Sequence, residues 1–148
     1  MRRIASLALL LAMTTLAVVL PASAQSAQDF KADFSEKSEC PGFDLCGRGV
    51  VHGFGTATSG LLFTSFEPGA GNCVSAAADR TQTLSDGSTL LISASGTVCD
   101  TRIAGTFTIV DGTGVFAGAS GGGMLSGSTT NPYIVSQAVH LRGTITLP

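Results

Sequence analysis

The stretch Gly105–Ser128, GTFTIVDGTGVFAGASGGGMLSGS, carries most of the information about the fold. Its first part has the two-residue period of a β-strand, because Phe107 and Ile109 alternate with threonines. Asp111–Gly114 then stops the strand, since aspartate bonds its own backbone in turns and glycine accepts positive φ without steric cost. The stretch therefore begins with a strand that ends in a tight turn.

The second part of this stretch predicts a plug and a bent strand. Val115–Ala119 is too short for a stable helix, so it predicts a single turn whose Phe116 plugs an apolar surface. Gly121–Gly123 restarts an extended segment, and triple glycine in a strand is typical of a bulge, a bend or a close backbone approach. Together these features predict the corner of a curved sheet.

The rest of the chain has the composition of an all-β protein with many turns. It contains 19 glycines, well above the usual frequency of roughly 7%. No segment beyond residue 25 repeats apolar residues at helical spacing, so the sequence predicts a single all-β domain over 25–148. The net charge is −2 and no basic patch is present, which argues against binding to nucleic acid or an anionic membrane.

The N-terminal 24 residues predict a cleaved signal peptide. Arg2 and Arg3 form its positive start, an uncharged apolar run follows, and Ala22–Ala24 supplies the small-residue cleavage pattern. The other interpretation is an uncleaved membrane anchor, for which the apolar run is slightly short. We expect a secreted, extracellular protein with no membrane contact after cleavage.

Export makes disulfides the default expectation for the four cysteines. Cys40 and Cys46 bracket a Pro-Gly turn, so a local bridge between them is geometrically easy. Cys73–Leu84 and Thr89–Cys99 form the clearest hairpin, and a bridge between Cys73 and Cys99 fixes its register. The sequence contains no C-x-x-C pair and its two histidines are far apart, so no metal or other cofactor is predicted.

The hairpin register places two polar residues on its apolar face, Arg80 and Gln82. An unpaired cation there is costly. Either Arg80 pairs with an acid inside the protein, or it lies near a rim and extends its charge into water.

Two further segments have a strand-like period of two. Gly47–Thr58 alternates small and bulky residues, which predicts an extended segment with a glycine-lined face. Tyr133–Leu147 predicts a long final strand that closes against the first strand, which contains Phe30, Ala32 and Phe34.

One motif resembles a known family. The run IVDGTGVFAGASG is similar to the G-G-[ST]-G-x-F-x-G-a-x-G signature of allene oxide cyclase and dirigent β-barrels, with Asp111 in place of the first glycine. The resemblance implies a closed antiparallel barrel of about eight strands, often trimeric, with an apolar central pocket. Members of that family cyclise fatty-acid epoxides or guide the coupling of phenolic radicals.

The motifs of common enzymes are missing or lack their context. Gly118–Gly122 fits the G-x-S-x-G pattern, but no acid follows it in the chain, and a nucleophile elbow needs a strand-turn-helix.

In allene oxide cyclases a carboxylate and an amide on the first strand act near the pocket, and the nearest positions here are Asp33 and Ser35. Asp33 is therefore a candidate catalytic residue, and Arg80, the cation on the apolar face of the hairpin, is the other.

Two functions follow from these observations. In the first, the barrel binds a small apolar molecule, with or without cyclase- or dirigent-like activity, and its candidate pocket residues are Arg80, Gln82, Phe107 and Phe116. In the second, the protein is a non-enzymatic extracellular structural or interaction module. A deep cavity lined by Arg80, Gln82 or Asp33 favours the first, and a barrel filled by phenylalanines and leucines favours the second. The sequence leaves open whether any reaction is catalysed.

Overall fold

The computed structural model describes residues 26–130 and 135–148, which form a closed barrel of eight antiparallel strands. The strands are β1 Ala27–Lys37, β2 Leu45–Val51, β3 Gly55–Pro68, β4 Cys73–Leu84, β5 Thr89–Cys99, β6 Arg102–Gly112, β7 Ser120–Thr129 and β8 Ser136–Thr146. They pair in chain order, and β8 closes on β1. The predicted all-β barrel is thereby confirmed, whereas the predicted signal peptide and Tyr133 lie outside the described residues. Within those residues no helix has the length and hydropathy that a bilayer crossing requires.

The hairpin of β4 and β5 has the predicted register. Cys73 lies opposite Cys99, and the pairing continues without a shift to Thr83 and Thr89. The loop turns at Gly87, whose φ of 87° is the left-handed conformation that glycine adopts without steric cost. The two cysteines were sufficient to set this register because a disulfide holds opposite side chains on one face.

The segment Gly47–Thr58 differs from the expected continuous extended segment. It folds as a hairpin in which β2 ends at Val51 and β3 begins at Gly55. Gly53 turns the chain with a φ of 86°. The alternation of small and bulky residues continues across this turn, so the period of two did not show the break.

The corner in Gly105–Ser128 has the predicted parts. A 3-10 turn, Gly114–Phe116, follows β6, and β7 then begins with the triple glycine. These glycines permit a close backbone approach, because a Cβ atom on Gly123 would collide with the carbonyl oxygen of Arg142 on β8. The sheet can therefore coil tightly at this seam.

The two ends of the barrel are closed differently. We call the end that carries the β2–β3, β4–β5 and β6–β7 connections the plugged end, and the opposite end the open end. Phe116 is fully buried at the plugged end, where its ring centroid lies 4.7 Å from that of Phe54. These two rings therefore fill the interior at this end.

Both predicted disulfides are present. Cys73–Cys99 joins β4 to β5 at the open end, and Cys40–Cys46 closes the connection between β1 and β2. No free cysteine remains in the described residues. Two disulfides in a barrel of this size indicate an oxidising environment.

Candidate functional site

Arg80 enters the barrel interior from β4 and is only 1% exposed. Its Nη1 donates hydrogen bonds to a carboxylate oxygen of Glu36 on β1 and, at 3.0 Å, to the hydroxyl of Ser59 on β3. Of the two alternatives for this cation, the structure shows the pair with an interior acid. Because both charges are buried, each depends on the other for compensation.

Glu36 is held from a second side by β8. Gln137 Nε2 donates a hydrogen bond of 2.5 Å to the other carboxylate oxygen of Glu36. We call Glu36, Ser59, Arg80 and Gln137 the interior charge cluster; its members come from four different strands. The barrel topology, rather than any local motif, brings these residues together.

A cavity with a volume of about 50 Å³ lies against this cluster, toward the open end. Arg80 and Gln137 form part of its wall. The wall is otherwise mainly apolar, and its apolar side chains are Leu61, Phe63, Ala76, Ala78, Ala94, Val98, Ile103, Leu125 and Val139. This volume holds about three or four water-sized groups, and it is below the roughly 300 Å³ at which typical small-molecule pockets begin.

The arginine beside the cavity has unused hydrogen-bonding capacity. Within the described ranges, Arg80 Nε is buried and has no hydrogen-bond partner. Two positions further along β4, the amide oxygen and nitrogen of Gln82 are also buried, with no partner in the part of the chain that the structure describes. Such atoms are uncommon in folded proteins, and ordered water or a bound group commonly satisfies them.

The predicted pocket residues lie at different depths. Arg80 lines the cavity, whereas Gln82, Phe107 and Phe116 are buried deeper in the barrel and are not part of its wall. Phe107 packs against Phe30 with ring centroids 5.6 Å apart. The aromatic residues therefore fill the interior beyond the cavity.

Asp33 lies on the outer wall, so the structure does not bring it together with Arg80. Its carboxylate contacts His52 at 2.7 Å, His140 at 2.6 Å and Arg142 at 2.6 Å. We call these four residues the outer charge cluster. Partial burial alone raises the pKa of Asp33, but hydrogen bonds from His140, His52 and Arg142 outweigh it and hold the pKa well below its usual range. The cluster ties β1 to β8 and to the residue that follows β2.

The interior acid Glu36 was not among the sequence candidates, although one signal pointed to it. Phe30, Ala32 and Phe34 face inward, and Glu36 continues this alternation, whereas Asp33 has the opposite parity. An acid at an inward position of β1 is therefore recognisable from the period of two. Its specific pairing with Arg80, 44 residues away, depends on the closed barrel.

An open groove of about 840 Å³ also runs along the outer wall beside the Cys40–Cys46 loop. Its lining includes Thr58, Thr81 and Thr83, together with the cations Lys37 and Arg48. Pro41 and Phe43 also line the groove. The interior cavity is the stronger candidate site because a buried arginine lines it.

Comparisons with protein-family models, with curated proteins and with solved structures found no match to this chain.

Proposed function

We propose that this protein is a secreted barrel that binds a small apolar molecule at its open end. The observation that carries the proposal is the mainly apolar cavity with Arg80 in its wall. The Nε of this buried guanidinium has no hydrogen-bond partner among the described residues. The family resemblance of the Gly105–Ser128 corner supports it, because an apolar central pocket is what that resemblance implies. The signal peptide predicted from the sequence and the two disulfides support secretion.

The cavity receives one end of the ligand. Its volume of about 50 Å³ accommodates only a few non-hydrogen atoms. The side chains of Phe63 and Ala76 in its wall are only partly buried, so the apolar surface continues toward solvent. The remainder of a larger ligand would lie against this mouth.

The cyclase- or dirigent-like activity that the resemblance implies would use the same arrangement. Confinement by the apolar wall would hold a flexible substrate in one conformation. Arg80, fixed by Glu36 and Ser59, would donate a hydrogen bond to a neutral oxygen of the substrate and so hold that end of the substrate in place. Asp33 lies on the outer wall and takes no part in this proposal.

The binding proposal is tested by titrating the ¹⁵N-labelled secreted protein with ethylbenzene and following amide shifts by NMR. We expect saturable shifts at Ala78, Val98 and Ile103, all of which line the cavity. Ala76→Phe places a ring in the mouth and should weaken binding at least tenfold. Ser75→Phe is the matched control, because the neighbouring Ser75 side chain is exposed on the outer face.

The alternative function, a structural or interaction module, makes the opposite prediction. In that case ethylbenzene causes no saturable shift at the open end, or Ala76→Phe and Ser75→Phe affect the titration equally. Either result would remove the support that the cavity gives to ligand binding.

A further inference from the structure

We infer that the ligand of this cavity is uncharged and carries an oxygen acceptor at the end that enters the barrel. The inference rests on the proposed binding function and adds the chemical class of the ligand. It follows from three features of the site: an N–H group of Arg80 that has no partner in the described part of the chain, a charge that is already neutralised, and an apolar wall.

The first feature is the hydrogen-bonding character of Arg80. A guanidinium donates hydrogen bonds and accepts none, so its complement must be an acceptor. Nη1 is engaged by Glu36 and Ser59, whereas Nε is buried without a partner in the described part of the chain. An apolar molecule without an acceptor would leave this donor unpaired, and burying an unpaired donor is costly.

The second feature is the charge balance. The carboxylate of Glu36 already neutralises Arg80, and both side chains are essentially inaccessible to solvent. A ligand carboxylate beside Arg80 would place a second negative charge close to Glu36 in a region of low dielectric. A carbonyl, ether or similar neutral oxygen satisfies the donor without this repulsion.

The third feature is the small size of the polar part of the wall. Apart from Arg80 and Gln137, most of the side chains that line the cavity are apolar, and the amide of Gln137 is already bonded to Glu36. The wall therefore offers few hydrogen-bonding groups, and a single acceptor at the inserted end of the ligand is enough to engage Arg80. A molecule with several hydroxyl groups would leave most of them unpaired against alanine, leucine and valine.

The class of ligand is tested with ethylbenzene, acetophenone and benzoate, which share a phenyl ring and differ in the end group. We expect acetophenone to bind roughly tenfold more tightly than ethylbenzene, because its carbonyl accepts a hydrogen bond from a charged donor. Benzoate should bind more weakly than acetophenone by at least the same factor. Dissociation constants come from the same amide shifts at the open end.

The matched variant replaces both interior charges with apolar residues of similar size, Arg80→Met together with Glu36→Leu. We expect this double variant to bind ethylbenzene at least as well as the unmodified protein and to lose the preference for acetophenone. Asp33→Asn, which alters the carboxylate on the outer wall, should leave all three dissociation constants unchanged.

The outcomes separate this inference from the proposed function. If ethylbenzene and acetophenone bind equally, or benzoate binds best, the neutral-oxygen inference is wrong while ligand binding stands. If none of the three compounds binds, the proposed function itself fails.

Discussion

Two charge clusters lie on opposite sides of the same barrel wall. Glu36 and Asp33 are three residues apart on β1. Glu36 pairs with Arg80 of β4 across the barrel interior, and Asp33 pairs with Arg142 of the adjacent strand β8. The Glu36 and Arg80 side chains are 0% and 1% exposed, whereas those of Asp33 and Arg142 are 32% and 45% exposed. Both pairs join a carboxylate to a guanidinium, but the outer pair is partly exposed to water and the interior pair is not.

This difference determines what each cluster can contribute. The attraction between two charges falls with the effective dielectric constant, and water and salt screen exposed pairs. A buried pair is therefore strongly interdependent, and the removal of one partner leaves an uncompensated charge. An exposed pair contributes little to stability. We conclude that the interior cluster places a polar group in the wall of an apolar cavity. The outer cluster makes a small contribution to the stability of the pairing between β1 and β8.

The largest expected effect is that of Glu36→Gln, which keeps the shape of the side chain and removes its charge. Arg80 then stays buried without a counterion, so we expect a loss of about 3–5 kcal/mol in the free energy of unfolding. Urea unfolding followed by circular dichroism, with the disulfides intact, measures this loss. Asp33→Asn is the matched control on the same strand, and it should cost less than about 1 kcal/mol. Equal losses in the two variants would contradict the distinction between the clusters.

A smaller effect is expected when both interior charges are removed. Arg80→Met combined with Glu36→Leu leaves no buried ion, although Ser59 and Gln137 lose their partners. We expect its free energy of unfolding to lie within about 2 kcal/mol of that of the unmodified protein, and above that of Glu36→Gln alone. The same urea titration provides the comparison. A double variant as unstable as the single one would show that the pair acts by something other than charge compensation.

The smallest effect concerns the outer cluster and pH. The folded-state pKa of Asp33 is lowered, so its stabilising contribution is complete above its unfolded pKa of about 4 and is lost as the pH falls further. We therefore expect the stability difference between the unmodified protein and Asp33→Asn to decline below about pH 4. About 1 M salt should also reduce it at neutral pH, because such salt shortens the screening length to about 3 Å. A difference that grows on acidification would refute this account.

The sequence predicted the parts of the fold that have local or covalent signals. The β4–β5 hairpin was defined by Cys73 and Cys99, and the inward position of Arg80 followed from their register. The corner around Phe116 was predicted from its turn residues and its triple glycine. These features depend on residues close together in the chain or on one disulfide, so they can be predicted from one sequence.

The parts that were missed depend on how distant strands meet. The parity of β1 marks Glu36 as inward, but its contacts with Arg80 and Gln137 exist only because β1, β4 and β8 belong to one closed barrel. The cluster around Asp33 likewise requires the pairing of β1 with β8. The β2–β3 turn was missed for a local reason, because alternation continued through Gly53.

The most direct test of the binding site is a crystal structure of the protein soaked with 4-bromoacetophenone, in which the bromine is located by its anomalous signal. The account predicts bromine at the open end, with the ketone oxygen at about 3 Å from a guanidinium nitrogen of Arg80. Bromine found only in the groove beside the Cys40–Cys46 loop or elsewhere on the outer wall would contradict it.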